Sequence, residues 1–399
     1  MEEYVAAVDF GTTKVLIMLG RINKYGEFEI AAMENVPYDR LLAWDDIDGT
    51  KPYISRAINS IDGETNHRIH HIILGIPGYY CGLIKNEAEI SIKRNIITSE
   101  EIALVLKSAG TYSLPEEWRV YKTIPNYYHI DDGPETNKVL NKNGNRLKTY
   151  ASLICIKQSF VDQIGSLLSD FDIKIDRIRP TLMACGEVLL TREEKSNGSI
   201  FIDVGGKSTD IIVYKSGVPV HIDWLPVGGY NITNDLALGL DIPFEQADKL
   251  KRQCVLGLDL SRGLKDANMD IPVKVGDKIQ KVSILDVQEI VESRTQEIFE
   301  LIKNSVESSN AVMIDECTAV LTGGGVALIR GVKDFGTHLI GCPLRLAQPE
   351  ILGVSNTASL SSVYCLLQEY FDSTYDHTSK GVSKDSHNLN WIDRIIQWL

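Results

Sequence analysis

Two aspartates in this chain stand at the end of a predicted buried strand and just before a glycine turn. The apolar run at residues 199–204 predicts a strand buried on both faces and carries Asp203 near its end. The apolar run at residues 4–8 leads in the same way to Asp9. Glycines after each aspartate let backbone N–H groups approach a ligand closely. The turn residues are Gly11, Thr12, Thr13 and Lys14 in the first turn, and Gly205, Gly206, Lys207 and Ser208 in the second.

Each turn connects two predicted strands, so the two segments form a pseudo-repeat of strand, glycine turn and strand. Two such hairpins with their tips facing each other can hold a polyphosphate from both sides. The carboxylates of Asp9, Asp203 and Asp210 could then hold a hydrated Mg²⁺ ion. A P-loop is excluded, because Phe201 occupies the position five residues before Gly206 where that motif requires glycine.

A third glycine turn follows the apolar strand predicted at residues 318–322. Its residues are Gly323, Gly324 and Gly325, and an apolar helical pattern is expected from Val326. A base and a ribose could lie flat against a backbone that has no side chains. A single glycine turn usually does no more than change the direction of the chain. Three turns in this order, each after a buried strand, favour a nucleotide site.

These three turns, with Asp9, Asp203 and Asp210, resemble the nucleotide site of the actin-like ATPases. Residues 225–237, 245–251 and 289–303 and the end of the chain resemble the FtsA family, bacterial division proteins that tie the FtsZ ring to the membrane. The resemblance covers most of the chain and is weakest at about residues 126–150. It implies an α/β, actin-like fold with two lobes around a nucleotide cleft, and ATP or ADP with Mg²⁺ as cofactors.

The resemblance also implies where the adenosine lies. Gly228 and Gly229 form another place where backbone can approach phosphate. Asp248 and Lys251 are three residues apart on a predicted helix and therefore share a face. In the FtsA family an acidic residue and a lysine at this spacing reach the ribose and the adenine. The alternative for this pair is an exposed ion pair with no further role.

Composition limits the other possibilities. The 399 residues are 44% hydrophobic and 24% charged, which suits two globular domains. The net charge of −13, with no basic stretch, argues against nucleic acid as a partner. Seven scattered cysteines predict reduced, mostly buried thiols in a cytosolic protein. We expect no signal peptide and no membrane span, because a core strand follows Met-Glu-Glu directly and no run of about 18 apolar residues occurs.

The order of predicted elements divides the chain into lobes and an insertion. The first lobe comprises residues 1–78 and 151–197, and a small α+β subdomain is inserted at residues 79–150. The second lobe comprises residues 198–371, with residues 226–316 as its outer subdomain. In the FtsA family the insertion contributes to contacts between protomers and to binding later division proteins. Residues 131–146 depart from the family pattern, and a solvated loop is the alternative there.

Two residues depart from the actin-like pattern. Arg179 precedes a proline where such proteins often carry a glutamate that orients the attacking water, and an arginine cannot accept a proton. Glu187, about two turns further along, is expected to be an ordinary helix carboxylate. Lys207 replaces a common glycine, and its ammonium group either contacts a phosphate or points to solvent. The sequence therefore predicts nucleotide binding with slow or absent hydrolysis.

A long helix is predicted at residues 287–306, with a core stripe of Ile290, Val291, Ile298, Leu301 and Ile302. Its other face carries Arg294 and Lys303. In the FtsA family this region receives the acidic C-terminal tail of FtsZ, so these two cations are the candidates for pairing with it. The alternative is a charged face that only keeps the protein in solution.

The end of the chain resembles a membrane anchor. Residues 372–388 are polar and serine-rich, which predicts a flexible linker. At helical spacing the last eleven residues place their apolar side chains on one half of the helix, as an interfacial membrane helix does. Several copies on one polymer would bind lipid through avidity. The predicted membrane contacts are Leu389, Trp391, Ile392, Ile395, Ile396, Trp398 and Leu399.

These observations lead to one main hypothesis and two alternatives. The first is an ATP-binding, self-assembling adaptor on the cytoplasmic side of the cell membrane that tethers the FtsZ ring at the division site. One alternative is a metabolite kinase with the same core fold, which has no use for an amphipathic tail. The other is a diverged paralogue that binds nucleotide without hydrolysis in another membrane assembly, such as a pilus or a secretion platform.

Overall fold

The structure is a computed structural model, and it describes residues 4–39, 42–43, 45–258 and 270–375. Its strands, numbered in chain order, are β1 (Tyr4–Phe10), β2 (Lys14–Ile22), β3 (Phe28–Pro37), β4 (His71–Ile76), β5 (Cys81–Ser91), β6 (Trp118–Ile130), β7 (Arg146–Lys157), β8 (Lys174–Pro180), β9 (Ser199–Val204), β10 (Thr209–Lys215), β11 (Val218–Leu225), β12 (Asp270–Val275), β13 (Lys278–Ser283), β14 (Thr318–Thr322) and β15 (Leu344–Leu346).

Helices cover the faces of the sheets and join the lobes. They are α1 (Lys51–Thr65), α2 (Ser99–Ala109), α3 (Gln158–Ser169), α4 (Thr181–Leu189), α5 (Arg192–Asn197), α6 (Gly229–Gly239), α7 (Phe244–Gln253), α8 (Ile284–Ser309), α9 (Val332–Ile340) and α10 (Ser361–Tyr375). The helix expected from Val326 begins instead at Val332, because residues 323–331 form turns. No helix of the described ranges is long and apolar enough to cross a membrane.

Two five-stranded sheets have the same strand order. The first is β3-β2-β1-β4-β8 and the second is β11-β10-β9-β14-β15. In each sheet three antiparallel strands are followed by parallel pairing to two later strands. The pseudo-repeat predicted from the two glycine turns is therefore confirmed over whole sheets. Because β1 and β9 hold equivalent central positions, the turns that follow them occupy equivalent edges.

A shared core lies between the two sheets. Met18 and Ile73 of the first sheet pack in one buried cluster with Phe201 and Val320 of the second. Helices α4 and α10 lie in this core and contact each other. Six of the seven cysteines are buried, as the sequence predicted.

The inserted subdomain is a three-stranded sheet, β5-β7-β6, covered on one face by α2. Strand β7 runs across the expected boundary at residues 150 and 151 and pairs with β5 as far as Cys81. The insertion therefore extends to about Lys157. The first strand of the insertion, β5, is 11 residues long. Residues 132–145 form turns and isolated bridges, which leaves the alternative of a loop in place there.

Helix α10 changes two further boundaries. It packs against β1, β2 and β4, so the helix that follows residue 360 lies on the first lobe rather than ending the second. It also continues to Tyr375, so the linker expected from residue 372 starts later. The rest of that linker and the predicted membrane helix at residues 389–399 lie outside the described residues.

Candidate functional site

The tips of the two pseudo-repeated hairpins touch each other. The backbone N–H of Lys207 donates to Thr12 Oγ1 at 2.9 Å. A Cβ atom added to Gly206 would collide with the side chain of Thr13, so glycine is what allows this approach. The prediction that the two turns face each other is confirmed.

Lys14 lies beside the two strand-end carboxylates. It interacts electrostatically with Asp9 and Asp203, and its Nζ donates to the Ser359 carbonyl oxygen at 3.0 Å. Burial raises the pKa of Asp9, while a hydrogen bond from Ser362 and the charge of Lys14 oppose that rise. Burial, and then the charge of Asp9, raises the pKa of Asp203 to about 7. The two carboxylates therefore share one buried, partly neutralised site.

Asp210 belongs to the same site from the next strand. It is directly opposite Asp203 in the β9–β10 pair. Its Oδ2 accepts from the backbone N–H of Gly78 at 3.0 Å, while its Oδ1 is buried and has no hydrogen-bond partner. Burial and the charge of Asp203 raise its pKa to about 8. A buried acceptor without a donor is costly, which suits an atom that receives a donor from a bound group.

These carboxylates do not form a direct metal cage. Among the described residues no three His, Cys, Asp or Glu side chains are placed so that they could hold a metal ion together. Mg²⁺ usually keeps several waters and uses one or two carboxylates with substrate phosphates. The orphaned oxygen of Asp210 fits a water of such a hydrated ion. The donor set therefore suits hydrated Mg²⁺ that arrives with phosphates.

The other predicted glycine turns meet the second turn. A Cβ on Gly228 would lie 2.6 Å from the Gly206 carbonyl oxygen, and a Cβ on Gly229 would lie 2.5 Å from the Gly325 Cα. The Gly325 N–H donates to Val204 O at 2.8 Å. Three glycine segments that are distant in sequence are thus packed backbone against backbone. The remaining two glycines of the third turn lie at its edge: Gly323 near Asp203 and Gly324 near Ser359.

Asp248 and Lys251 form an ion pair on α7, with 2.9 Å between Oδ1 and Nζ. The pair is not the exposed one of the alternative, because Lys251 is only 7% exposed. Its ammonium group also donates to the Gly229 carbonyl oxygen at 3.1 Å and to Thr233 Oγ1 at 2.8 Å. Burial lowers the pKa of Lys251, which the charge of Asp248 opposes. Lys251 therefore reaches the glycine segment that the sequence assigned to phosphate.

A small cavity lies beside the two phosphate turns, mainly on the side of the first lobe. It has a volume of about 50 Å³ and is lined by Gly11, Thr12, Lys207 and Ser208, with aromatic walls that include Tyr79 and Trp224. Gly323–Gly325 do not border it. Pockets for ligands of nucleotide size are about 300 Å³ or more. This cavity is therefore too small to hold a nucleotide. The residue types at the turns fit a nucleotide and hydrated Mg²⁺, and the tips of the two turns are in contact.

Arg179 does not face the phosphate turns as a free cation. It lies at the end of β8, and its Nε donates to Glu369 Oε2 on α10 at 2.8 Å, with a second contact from its other nitrogen to Oε1. The pair is mostly buried, and the charge of Glu369 holds the pKa of Arg179 above its ordinary value. Glu187 pairs with Lys195 at 2.8 Å, as expected for an ordinary helix carboxylate.

Arg294 and Lys303 do not form the common face expected of them. They are nine residues apart on α8, which is half a turn around the helix axis. Arg294 Nε donates to Asp235 Oδ2 on α6 at 2.6 Å, whereas Lys303 lies near Gly341 at the end of α9. Val291, Ile298 and Ile302 of the predicted core stripe are buried, whereas Leu301 is 36% exposed. The stripe is therefore confirmed at three of its five positions.

Four residues of the site were missed by sequence reasoning. Ser359 and Ser362 contact Lys14 and Asp9, Gly78 binds Asp210, and the carbonyl oxygen of Leu42 accepts from Lys207 Nζ at 3.3 Å. Ser359 and Ser362 flank the start of α10, and a polar pair before an apolar helix is also the ordinary signal of a helix start. Backbone groups such as those of Gly78 and Leu42 leave no signal in residue type.

Comparison with known proteins agrees with this arrangement. A model of the FtsA family, described as "Cell division protein FtsA", matches residues 200–364, which include β9 except for Ser199, the second turn and Gly323–Gly325. The chain is 26% identical over 355 residues to the cell division protein FtsA of Neisseria meningitidis, covering 88% of this chain and 85% of that one. It is also 26% identical over 407 residues to FtsA of Pseudomonas aeruginosa, covering 99% and 97%. The chain is therefore similar to FtsA proteins over most of its length.

Solved structures show that this chain has the actin-like fold. A chain of the PilM-PilN type IV pilus biogenesis complex has a TM-score of 0.60 at 15% identity, over 92% of this chain and 98% of that chain. MreB 5 of Spiroplasma citri bound to AMPPNP has a TM-score of 0.53 at 13% identity, over 95% and 99%. At these identities the likeness shows the fold alone, and the predicted α/β, actin-like fold is confirmed. The alternative of a pilus or secretion paralogue is not favoured, because the sequence relatives are cell division proteins.

Proposed function

We propose that this chain is an actin-like adaptor of cell division that binds ATP between its lobes, assembles with itself, and ties the FtsZ ring to the membrane. The observation that carries the proposal is the meeting of the two carboxylate-tipped turns, through Lys207 and Thr12, in a chain that is similar to FtsA proteins. The nucleotide-bound MreB 5 supports nucleotide binding by this fold. The proposed polymerisation and membrane tethering are supported by the similarity to FtsA proteins and by the predicted amphipathic tail.

We propose that the two turns, with Gly228 and Gly229, contact the phosphates. The carboxylates for hydrated Mg²⁺ are Asp9, Asp203 and Asp210. The adenosine contacts are Asp248, Lys251 and Gly323–Gly325. We expect hydrolysis to be slow or absent. Arg179 is committed to Glu369 and offers no proton acceptor. Phosphate release in a single turnover at the rate of an ordinary enzyme, about 1 s⁻¹ or faster, would contradict this expectation.

Binding to lipid tests the proposed anchor. The full chain with ATP is sedimented with vesicles, beside a variant that lacks residues 389–399 and a control with Asn390→Gln on the polar half of the predicted helix. We expect the full chain and the control to pellet and the truncated chain to remain in the supernatant. Equal pelleting of all three would remove the anchor from the proposal.

Recruitment of FtsZ tests the adaptor function. FtsZ is added to the same vesicles with and without this protein, and FtsZ without its C-terminal tail serves as the control. Lys303→Glu examines the candidate cation on the α9 side of α8, and Arg294→Gln examines the one already paired with Asp235. We expect Lys303→Glu to weaken recruitment more. FtsZ that pellets equally without this protein would contradict the tether.

A further inference from the structure

Lys207 bonds across the mouth of the cleft. Its Nζ donates to the Leu42 carbonyl oxygen of the first lobe at 3.3 Å and lies 5.5 Å from the ring centroid of Tyr230. Its backbone N–H donates to Thr12 Oγ1 of the first lobe. One residue of the second lobe therefore makes two hydrogen bonds to the first lobe, one from its backbone and one from its side chain.

This placement differs from both expectations for Lys207. Its ammonium group does not point to bulk solvent, since burial lowers its pKa and a carbonyl oxygen accepts from it. It is also not among the groups that interact with the buried carboxylates, where Lys14 already lies. The ammonium group of Lys207 thus serves a contact between the lobes.

Other contacts close the same seam. Gly78 of the first lobe donates to Asp210 of the second at 3.0 Å. The rings of Tyr79 and Trp224 meet across the seam with centroids 4.9 Å apart. Tyr79 and Trp224 also line the cavity of about 50 Å³ beside the turns, together with Lys207. A phosphate at the second turn would need the N–H that Thr12 now accepts from, so binding has to open this seam.

We propose that Lys207 is a positioning residue that holds the two lobes together at the mouth of the cleft, so that nucleotide must displace the Lys207 contacts to enter. A ligand that binds only the open state has its apparent affinity reduced by the open fraction. A lysine at this position therefore favours the closed arrangement of the lobes. This inference rests on the proposed nucleotide site for its ligand, but not for the contact between the lobes.

The test measures nucleotide affinity and amide hydrogen exchange in the full chain. Lys207→Ala removes the ammonium group, Lys207→Arg keeps a cation that can donate to the Leu42 carbonyl oxygen, and Lys215→Ala removes an exposed lysine at the far end of β10. Affinity is measured with a fluorescent ATP analogue. Exchange is followed in peptides that cover residues 4–15 and 205–214.

We expect Lys207→Ala to tighten binding of the analogue about five- to tenfold, because removal of one charged hydrogen bond enlarges the open fraction. Exchange in both peptides should rise in that variant. Lys207→Arg should stay within about twofold of the native protein in both measurements, and Lys215→Ala should not change either.

The opposite results are equally clear. Weaker binding by Lys207→Ala would make Lys207 a phosphate ligand and overturn the proposal, as would unchanged affinity with unchanged exchange. If neither the native protein nor any variant binds the ATP analogue, the proposed nucleotide site is wrong. In that case hydrogen exchange alone tests the contact between the lobes. Faster exchange in Lys207→Ala, but not in Lys207→Arg or Lys215→Ala, supports the contact. Unchanged exchange in Lys207→Ala refutes it.

Discussion

The two glycine turns are built alike but use their lysines in opposite ways. Four residues separate Phe10 from its strand partner Val15 in the first hairpin, and four separate Val204 from Thr209 in the second. Lys14 is the fourth residue of its turn and faces the carboxylates, whereas Lys207 is the third residue of its turn and faces the other lobe. A difference of one position within the turn therefore decides whether the lysine lies beside the carboxylates or contacts the other lobe.

The comparison shows what a repeated backbone does not determine. Both turns bring the main chain to the same edge of equivalent sheets. The side chains then differentiate the copies: the first supplies a buried cation, and the second supplies the extra carboxylate Asp210 where the first hairpin has Leu16. The lysine of the first hairpin therefore compensates the charge of the carboxylates, and the lysine of the second hairpin contacts the other lobe.

The largest expected effect separates the two lysines. Lys14→Met leaves the half-buried carboxylates of Asp9 and Asp203 without their cation, so we expect the free energy of unfolding to fall by about 3 kcal/mol. Lys207→Met keeps the stem of a half-buried side chain and should cost under about 1 kcal/mol. Urea unfolding of both variants at pH 7 measures the difference. Equal losses would mean that the two lysines do not differ as described.

The next effect concerns the contact between the turns. Gly206→Ala would place a methyl group in the Thr13 side chain, and we expect it to cost about 1–3 kcal/mol of unfolding free energy. Gly205→Ala meets only Ser208 O at 3.3 Å and should cost less than about 1 kcal/mol. Adding Thr13→Ala to Gly206→Ala should restore part of the loss. No restoration would show that the collision is not with Thr13.

A smaller effect depends on pH and belongs to the second hairpin. The pKa of Asp210 is about 8 in the folded protein and 3.8 when exposed, so the folded state holds the proton more tightly. Its contribution to stability is complete below about pH 4 and is lost as the pH rises to about 8. At pH 8 the free energy of unfolding of Asp210→Asn should therefore be about 1–2 kcal/mol higher than that of the native protein.

Urea titrations at pH 5 and pH 8 check this prediction. The gain from Asp210→Asn should be larger at pH 8 than at pH 5, where Asp210 is protonated in the native protein as well. A gain that is equal at both pH values would argue that the asparagine acts through packing alone.

The smallest effect lies outside the turns and has the opposite sign. A hydrogen bond from Arg345 holds the pKa of Glu194 down to about 2, which ties α5 to β15. Its contribution is present above about pH 4 and is lost as the pH falls towards 2. Glu194→Gln should cost about 1 kcal/mol or less at pH 7 and nothing measurable near pH 2. A loss that grows on acidification would contradict this sign.

The sequence by itself determined the strands, the turns and their order. Apolar runs that end at Asp9, Asp203 and Thr322 predicted β1, β9 and β14, because a strand buried on both faces excludes polar residues until it reaches an edge. Glycine positions predicted where backbones approach, since only a missing Cβ allows it. The membrane helix stays a prediction from apolar spacing, as it lies outside the described residues.

Only the tertiary structure decided which groups meet. The direction of the Lys207 side chain, the pairing of Arg179 with Glu369, and the separation of Arg294 from Lys303 all depend on neighbours more than fifty residues away in sequence or on the rotation of a helix against its core. The pKa values of Asp203 and Asp210 likewise come from burial between two lobes. Periodicity predicts that a face is buried, but what lies against that face is set by how the whole chain packs.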